Sequence, residues 1–342
     1  DEPNDPNRGD VHYWEVWHGN KPFSEYRKYF FRYASEFGFQ SFPSVKTLET
    51  VTDDPKELNP FSYVMEKHQR NYGGNGKIAK YMQAAYRYPE NFSDFVYASQ
   101  LLQADGIRYG VEHYRRNRGR CMGAIYWQLN DCWPVISWSS IDYYGRWKAL
   151  HYYAKRFFAP VMLSCEEQSW MTVEADMNRQ HFEFEKSIRL NVTNETLDAH
   201  RVLVKWAVRK TDATILREEE QWLEVPALSA VWMDKVELPQ IDCFNEYVSY
   251  EAWENDQIIS QGTVIFSYPK YFHYLNPGLA VRVDGDEIVV KAEAYAKSVE
   301  IRNENDDLIL EDNYFDMNAG EYRVKILDGK PDGLKVRSVY DI

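Results

Sequence analysis

The sequence predicts an α/β region followed by two all-β regions, and three patterns along its 342 residues support this fold class. Up to about residue 158, strand-like runs alternate with helical periodicity, which favours βα units and a parallel sheet. From residue 159 to residue 268, short alternating strands separated by polar turns indicate an antiparallel sandwich. A linker at Tyr268–Pro269–Lys270 then precedes a smaller strand-rich region. We therefore expect three domains, at residues 1–158, 159–268 and 269–342.

In the α/β region, three runs rich in β-branched and aromatic residues predict strands at Val11–Trp17, Ser35–Phe39 and Cys121–Leu129. The last run is nearly all apolar, so we expect it to be buried on both faces of the sheet. Helical spacing predicts helices between Pro60 and Tyr88, from Asn91 or Ser93 to Arg118, and from Arg146 to Phe157. A glycine-rich loop, Gly73–Gly76, is expected to interrupt the first of these helices.

The two all-β regions divide into short predicted strands. The larger region has them at Ser187–Thr193, Arg201–Val208, Trp222–Val225, Val231–Leu238 and Ile258–Ser267. In the smaller region, the pair Asp284–Gly285 suits a tight hairpin turn. The strands predicted there are Ala280–Val283, Ile288–Ala294, Ser298–Arg302, Glu321–Ile326 and Lys335–Val339.

Composition and charge argue against several classes of protein. The formal net charge of −13 argues against nucleic-acid binding, because phosphate contacts need a basic face. No apolar run approaches the roughly 18 residues of a membrane-spanning helix, so no membrane association is expected. The eight histidines form no HxH or HExxH pattern and the four cysteines form no CxxC pair. We therefore expect neither a metal site nor a disulfide framework.

The compartment and the oligomeric state are not determined by the sequence. Widely separated cysteines favour reduced thiols, and hence a compartment such as the cytoplasm. The opening residues, Asp1–Asn7, have the composition of an internal loop, so we expect the natural start to lie upstream. A homodimer is compatible with the sequence, which contains no feature that selects it.

The strongest candidate for a functional residue is Glu36, which lies among aromatic residues in the stretch Arg32–Pro43. A charge at the end of an aromatic-rich strand is costly to bury unless it is paired or used in chemistry. Most glutamates are solvated surface groups, so the hypothesis depends on these aromatic neighbours. The overall aromatic content of 16% suits large β cores, and equally suits a protein that stacks sugar rings beside carboxylates.

Two further segments carry polar and aromatic side chains at predicted strand ends. Tyr13, Trp14 and His18 belong to one, and Tyr126–Pro134 forms the other. A carboxylate, a tyrosine hydroxyl and tryptophan faces at the carboxyl ends of parallel strands are typical of a (β/α)₈-barrel active site. Packing in the core is the alternative for each tryptophan, and the sequence does not separate the two.

Three motifs together resemble glycoside hydrolase family 2, and specifically its β-mannosidases. They are Ser35–Ser41, His12–Trp14 with Val16–Gly19, and Tyr126–Pro134. Their order and spacing match the family over the first 160 residues, whereas the two β regions match it only in layout. The resemblance implies the C-terminal portion of a (β/α)₈ TIM barrel, with its last three strands, followed by two immunoglobulin-like β-sandwich domains.

The resemblance also implies a reaction and the roles of individual residues. Family members are retaining exo-glycosidases, and this chain would belong to one that hydrolyses terminal β-D-mannosides through a covalent glycosyl-enzyme. Glu36 matches the nucleophile, and Tyr13 matches a tyrosine that orients it. The residues matched to substrate binding are Tyr13, Trp14, Trp127, Asn130, Asp131 and Trp133. No metal and no cofactor are implied.

The chain departs from the family pattern in what it lacks. The general acid of the family is a glutamate that follows an asparagine on an earlier barrel strand, and nothing upstream of Val11 supplies it. We therefore expect the missing amino-terminal part of the same enzyme to be a partner that covers the open sheet edges. Alone, the chain is expected to bind β-mannoside oligosaccharides or glycosides weakly and to hydrolyse almost none of them.

Two other interpretations remain open. The motifs also fit another family 2 exo-glycosidase, such as a β-galactosidase, a β-glucuronidase or an exo-glucosaminidase. From a different class, the chain fits a non-catalytic carbohydrate-binding or structural fragment. That interpretation needs exposed tryptophans in the β regions, and the sequence does not show which tryptophans are exposed.

Overall fold

The computed structural model describes residues 3–173 and 183–342. The chain divides into two compact units, each assembled from three separate stretches of sequence. The first unit comprises Asp1–Glu36, Tyr109–Ile125 and Arg156–His273, and the second comprises Phe37–Arg108, Tyr126–Lys155 and Tyr274–Ile342. Strands dominate the described secondary structure, and the helices are few. The predicted domain limits at residues 158 and 268 stay predictions.

A three-stranded sheet carries the candidate residue Glu36. Its strands are β1 (Val11–His12), β2 (Ala34–Phe37) and β3 (Ala124–Tyr126), in the order β1-β2-β3. Strands β1 and β2 pair in parallel, which confirms the parallel pairing predicted from the alternation of strands and helices. Glu36 lies on β2, the central strand, and thus has a neighbouring strand on either side.

The predicted strand Val11–Trp17 is wrong beyond its first residues, because the chain turns. The backbone N–H of His18 donates to the carbonyl oxygen of Trp14 at 2.7 Å and closes this turn. Val16 and Trp17 are fully buried within it. The apolar character of the run therefore reflects a turn packed into the core, and not an extended strand.

The prediction that Cys121–Leu129 is a strand buried on both faces is also wrong. Only Ala124–Tyr126 is extended, and Ile125 is 52% exposed. Leu129, which follows the strand, is 56% exposed. Strand β3 is an edge strand of its sheet, so several apolar side chains of this run face solvent in the described chain.

The described α-helices are α1 (Val45–Leu48), α2 (Tyr63–Lys67), α3 (Gly74–Ala85), α4 (Phe92–Arg116) and α5 (Ala149–Phe157). Asn91 caps α4, as predicted, because its Oδ1 accepts a hydrogen bond from the Asp94 N–H at 3.0 Å. The predicted loop Gly73–Gly76 is wrong, since α3 begins at Gly74. Gly73 precedes the helix at a φ of +70°, a left-handed conformation that glycine adopts without a steric penalty.

The first unit contains a β-sandwich of two antiparallel sheets, as predicted. One sheet has the order β4-β5-β8, with β9 also paired to β5, and the other has the order β11-β10-β6-β7. Side chains such as those of Val192, Val204 and Phe266 fill the core between the sheets. The strands are β4 (Val161–Gln168), β5 (Ser187–Asn194), β6 (His200–Lys210), β7 (Ile215–Val225), β8 (Ser229–Trp232), β9 (Val236–Glu237), β10 (Glu246–Glu254) and β11 (Gln257–Ile265).

A buried ion pair fixes the segment between β1 and β2 inside the first unit. The Arg27 guanidinium donates to the Glu167 carboxylate on β4, with an Nη2–Oε2 distance of 2.8 Å. The Tyr109 hydroxyl, on α4, donates to the other oxygen of the same carboxylate. Removing one partner of such a pair leaves a buried charge without compensation, so this contact holds the segment firmly.

The second unit contains a smaller β-sandwich. Its sheets have the orders β12-β13-β17-β15 and β16-β14-β18. The predicted hairpin is confirmed, since β12 and β13 pair antiparallel and Gly285 between them has a φ of +66°. The strands are β12 (Ala280–Asp284), β13 (Glu287–Ala292), β14 (Ala296–Arg302), β15 (Ile309–Leu310), β16 (Phe315–Met317), β17 (Gly320–Asp328) and β18 (Lys335–Arg337).

Two general properties of the chain follow from the structure. Among residues 3–173 and 183–342, no helix combines the length and the apolar character needed to cross a membrane. All four cysteines are free thiols, and Cys121 and Cys165 are buried.

Candidate active site

Glu36 is positioned by the parallel pairing of β1 and β2. In this register His12 lies opposite Glu36. The backbone N–H of Tyr13 donates to the Glu36 carbonyl oxygen at 2.7 Å, so the pairing continues one residue beyond β1. Because side chains alternate along an extended segment, His12 and Trp14 project to one side and Tyr13 to the other.

The carboxylate of Glu36 contacts both side chains on its own side of the sheet. The indole N–H of Trp14 donates to Oε1 of Glu36 at 2.9 Å. Nδ1 of His12 lies 3.6 Å from the same oxygen. The side chain of Glu36 is 26% exposed, so it is neither in bulk water nor sealed inside apolar packing. A carboxylate in this position is accessible to a ligand.

Tyr13 lies on the opposite side, in an aromatic cluster. Its ring centroid is 5.1 Å from that of Phe31, 5.4 Å from that of Tyr29 and 5.9 Å from that of Tyr26. Burial raises the pKa of the Tyr13 hydroxyl, and the Glu25 carboxylate beside it adds to the shift. The structure therefore brings Trp14 to Glu36 and places Tyr13 in the aromatic cluster, while the role predicted for Tyr13 remains a prediction.

Trp127 begins the loop that follows β3. Its backbone N–H donates to the carbonyl oxygen of Phe37 at 2.8 Å, which continues the pairing of β3 with β2. The peptide bond between Trp127 and Gln128 is cis. The Trp127 side chain is 44% exposed, and Asn130 on the same loop is exposed as well. An exposed indole at the end of a strand is available to stack against a flat, apolar ligand face.

Asp131 has a different environment on the same loop. Its two carboxylate oxygens accept hydrogen bonds from the Ser137 hydroxyl at 2.8 and 2.9 Å, and Oδ2 also accepts one from the Ser139 hydroxyl. Gln128 donates to Oδ1 at 3.3 Å. These contacts connect the two ends of the loop. Asp131 therefore closes the loop in this structure.

Trp133 is covered by polar neighbours from another segment of the second unit. The His68 ring stacks on it with centroids 4.9 Å apart and an interplanar angle of 26°. The Arg70 guanidinium lies 4.8 Å from the Trp133 ring centroid. His68 is itself fixed by a 2.6 Å contact between its Nδ1 and the carbonyl oxygen of Pro134. The stack orders this part of the loop.

A buried polar network beneath the loop was not predicted from the sequence. Gln103, on α4, donates to the carbonyl oxygens of Phe39 at 2.9 Å and Ser139 at 3.2 Å. Its Oε1 accepts a hydrogen bond from the Ser41 hydroxyl at 2.6 Å. The network thus joins the segment after β2 to the loop after β3. Glutamines at 100 and 103, which interrupt the apolar face of α4, were the available signal in the sequence.

Lys148 is the charged member of this network. It is 1% exposed, and its ammonium group faces the carbonyl oxygens of Ser41 at 3.3 Å and Ser137 at 3.5 Å. Burial lowers the pKa of Lys148 to about 8, while the carboxylates of Asp131 and Asp142 oppose the shift. The loop therefore lies over a buried amine that titrates close to physiological pH.

Comparisons with known proteins agree on one family. A model of the Mannosidase Ig/CBM-like domain matches residues 186–271, and a model described as an Ig-fold domain matches residues 274–342. These matches show that the two sandwiches are immunoglobulin-like.

Curated relatives match nearly the whole chain. The β-mannosidase B of Thermothelomyces thermophilus is 30% identical over 361 residues, which cover 97% of this chain and 41% of the relative. The β-mannosidase B of Aspergillus terreus is 28% identical, over 95% of this chain and 40% of the relative. The β-mannosidase of Capra hircus is 37% identical over 173 residues, 47% of this chain and 19% of the relative. The chain thus spans about two fifths of the length of the first two relatives.

Solved structures give the same result. The β-D-mannosidase of Dictyoglomus thermophilum is 27% identical, with a TM-score of 0.85 over 98% of this chain and 41% of that protein. An exo-chitosanase of Amycolatopsis orientalis is 16% identical, with a TM-score of 0.63 over 93% of this chain and 45% of that one, which shows the fold alone. Together with the shared motifs, these matches show that the chain belongs to the β-mannosidases of glycoside hydrolase family 2 and corresponds to their carboxyl-terminal part.

Proposed function

We propose that this chain supplies the catalytic nucleophile of a retaining exo-β-mannosidase, and that Glu36 is the nucleophile. The observation that carries the proposal is the hydrogen bonding of the Glu36 carboxylate, which lies near the end of a parallel strand. One oxygen accepts a hydrogen bond from Trp14, and among the described residues Oε2 has no hydrogen-bond donor. A quarter of the side chain is exposed, so the carboxylate is not sealed away from a ligand.

The proposed reaction follows from two carboxyl groups about 5–5.5 Å apart. Glu36 attacks the anomeric carbon of a terminal β-mannoside, and the bond from that carbon to the departing oxygen breaks. A second carboxylic acid protonates the departing oxygen and then deprotonates the water that hydrolyses the glycosyl-enzyme. This acid lies in the part of the relatives' length that the chain does not span.

The α/β region would form the last three strands and their helices in a (β/α)₈ barrel. Support comes from the parallel pairing of β1 with β2 and from the apolar side chains that β3 exposes. Ile125 on this edge strand is 52% exposed, and Met122, two residues before the strand, is 59% exposed. In the complete enzyme, preceding barrel strands would cover both edges of the three-stranded sheet, which removes a template for aggregation.

The side chains after β3 would bind the sugar. Trp127 offers an exposed indole face, and Asn130 offers an exposed amide beside it on the same loop. Trp133 and Asp131 would shape the rim of the site from an ordered loop. The stack on His68 and the hydrogen bonds to Ser137 would keep that rim rigid, which lowers the entropy lost on binding.

Trapping of the covalent intermediate tests the proposal. The complete enzyme would be incubated with a 2-deoxy-2-fluoro-β-mannosyl fluoride, which forms a glycosyl-enzyme but hydrolyses slowly. We expect a mass increase of one sugar, located on the peptide that contains Glu36 after proteolysis and mass spectrometry. A label on a different carboxylate would refute the assignment of Glu36.

The choice of mannose over related sugars needs its own experiment. A panel of nitrophenyl β-mannoside, β-galactoside, β-glucuronide and β-glucosaminide would be assayed with the complete enzyme. We expect the highest kcat/KM for the mannoside. A higher kcat/KM for another sugar would contradict the assignment of mannose as the substrate. It would not contradict the retaining mechanism.

The dependence on the rest of the enzyme is tested with the isolated chain. We expect its turnover of nitrophenyl β-mannoside to be below about one hundredth of that of the complete enzyme, because the general acid is missing. Robust turnover by a 40.5 kDa species, verified by mass spectrometry, would contradict this expectation.

A further inference from the structure

Resting on the proposed function of Glu36, we propose that Trp14 is a positioning residue for the nucleophile. Its indole N–H anchors Oε1, and Oε2 is thereby the oxygen that bonds to the anomeric carbon. The structural basis is the 2.9 Å hydrogen bond from the Trp14 indole to Oε1. This role differs from direct substrate binding, which was the function that sequence comparison implied for Trp14.

The terminal torsion of a glutamate side chain needs such an anchor. This torsion has a broad and roughly two-fold energy profile, so an unrestrained carboxylate exchanges and reorients its two oxygens. A nucleophile reacts from a narrow range of distances and angles, and a displacement of about 1 Å can lower the rate about a hundredfold. One directed hydrogen bond at Oε1 restricts the torsion and leaves the lone pairs of Oε2 available.

Trp14 is itself held in place by the backbone around it. The preceding residue, Tyr13, is hydrogen-bonded to the backbone of Glu36, so donor and acceptor belong to paired segments. The carbonyl oxygen of Trp14 accepts a hydrogen bond from the His18 N–H at 2.7 Å, and the two rings lie 5.2 Å apart. The donor is therefore fixed by both the sheet and the turn.

The turn after Trp14 has a strict steric requirement at Gly19. A Cβ added there would lie 2.4 Å from the carbonyl oxygen of Glu15 and 2.6 Å from its carboxylate. Glycine is thus needed for the chain to return so closely on itself. The sequence between Trp14 and Gly19 serves to hold the indole against Glu36.

His12 contributes less to this anchor than Trp14 does. Its Nδ1 is 3.6 Å from Oε1, beyond a normal hydrogen bond, and its side chain is 52% exposed. Water screens an interaction in such a position. His12 therefore serves as a comparison: it approaches the same oxygen, but without a directed bond.

The bond changes on an activated substrate make the roles of the two oxygens explicit. With a dinitrophenyl β-mannoside, Oε2 forms the bond to the anomeric carbon while the bond from that carbon to the phenolic oxygen breaks. The phenolate departs with the electron pair and needs no proton. Oε1 becomes the carbonyl oxygen of the resulting ester and can keep the hydrogen bond from Trp14.

The test removes the N–H donor of Trp14, and one of its two variants also keeps the shape of the ring. In the complete enzyme, Trp14 would be changed to 3-benzothienylalanine, which has the shape of tryptophan but no N–H group, and to phenylalanine. We expect kcat/KM for the dinitrophenyl mannoside to fall about tenfold to a hundredfold in both variants. The inactivation rate with the 2-fluoro sugar would fall in parallel, while the dissociation constant of a competitive mannose-type inhibitor changes less than about twofold.

Matched control variants distinguish the loss of carboxylate positioning from a general structural disturbance of the site. Tyr29→Phe removes only a hydroxyl from the neighbouring aromatic cluster and should leave kcat/KM unchanged. His12→Gln should lower it less than about threefold, because its contact with Oε1 is long and solvated. Melting temperatures of all variants would be recorded, and the benzothienyl variant remains informative if Trp14→Phe fails to fold.

The possible outcomes distinguish this inference from the proposed function. Wild-type kcat/KM in the benzothienyl variant overturns the inference, and the assignment of Glu36 then stands or falls with its own labelling experiment. A weaker inhibitor affinity with unchanged kcat also overturns it, since Trp14 would then contact substrate. Labelling of a residue other than Glu36 would refute both the positioning role of Trp14 and the nucleophile role of Glu36.

Discussion

Two carboxylates lie near the ends of neighbouring strands and have opposite surroundings: Glu36 is on β2, and Asp131 is in the loop after β3. Among the described residues, the carboxylate of Glu36 accepts one hydrogen bond, from the Trp14 indole to Oε1, and Oε2 has no donor. Asp131 receives hydrogen bonds at both oxygens, from two serine hydroxyls and a glutamine. A carboxylate with a free oxygen is available to react, whereas a saturated carboxylate holds a loop. Burial alone does not separate the two, because both are half-buried.

The two carboxylates are also contacted by different parts of the chain. The contact to Glu36 comes from one strand and its turn, within the first unit. The loop that contains Asp131 rests on a network from Gln103 on α4 and from Lys148, the residue before α5, within the second unit. Substitutions at the two carboxylates, at the buried lysine and at a distant tryptophan test the proposed difference between a reacting Glu36 and a structural Asp131.

Glu36→Gln should give the largest effect on activity and almost none on stability. We expect turnover of nitrophenyl β-mannoside by the complete enzyme to fall at least about a hundredfold, because an amide is a very poor nucleophile. The Gln side chain can still accept the hydrogen bond from Trp14, so the melting temperature should change by less than about 2 °C. Retention of more than about a hundredth of the activity would contradict the nucleophile role.

Lys148 should make stability depend on pH in a defined window. The unfolded lysine keeps its proton up to a pKa near 10.5, whereas burial lowers the pKa to about 8 in the folded chain. Between these values the unfolded state binds more protons, so the free energy of unfolding rises with pH. The rise is at most about 1.4 kcal/mol per pH unit, and roughly 3 kcal/mol in total.

Urea denaturation of the wild type and of Lys148→Met between pH 7.5 and pH 10.5 measures this contribution. Other groups also titrate there, so the informative quantity is the difference between the two proteins. We expect the wild type to gain stability relative to Lys148→Met as the pH rises. A difference that does not change with pH would show that the amine beneath the loop does not titrate in this range.

Asp131→Asn should show the reverse of Glu36→Gln. The amide group cannot accept hydrogen bonds at its nitrogen, so a hydroxyl of Ser137 or Ser139 loses its acceptor. We expect a loss of about 1–3 kcal/mol in the free energy of unfolding, the usual result of leaving a buried donor without a partner. Unchanged stability with a large loss of turnover would instead make Asp131 a reacting or substrate-binding group.

Trp222→Ala should have the smallest effect and tests the non-catalytic alternative. Trp222 is 53% exposed on β7, and the Arg201 guanidinium lies 4.6 Å from its ring centroid. A substitution at such a surface position should change stability by less than about 0.5 kcal/mol. It should not alter the affinity of the isolated chain for mannan oligosaccharides in calorimetry. A clear loss of affinity would favour a carbohydrate-binding role for the sandwich.

The sequence predicted elements best where local chemistry determines structure. Asn91 was one of two predicted caps because its side chain accepts from the backbone of the first helical turn, and the structure confirms that contact. The hairpin at Asp284–Gly285 was found for the same reason, since its turn needs a residue at positive φ. Both signals act within four residues, and neither requires knowledge of distant neighbours.

Prediction from the sequence failed where tertiary packing or strand pairing decides the secondary structure of a segment. The apolar run at Val11–Trp17 fits a strand and a buried turn equally well, and burial of Trp17 selects the turn. The strands β4 and β10 were not predicted, because Val161–Gln168 and Glu246–Glu254 do not alternate simply between apolar and polar residues. Pairing with adjacent strands compensates for weak local preference.

The sequence by itself determined the family, and it predicted the order of the regions and Glu36 as the candidate nucleophile. These follow from composition, from turn residues and from short motifs, all of which are local along the chain. Only the tertiary structure decided that Trp14 and not the adjacent Tyr13 faces Glu36, and that Asp131 is saturated by serine hydroxyls. The physical reason is that the direction of a side chain depends on strand register, and register is set by pairing between segments far apart in sequence.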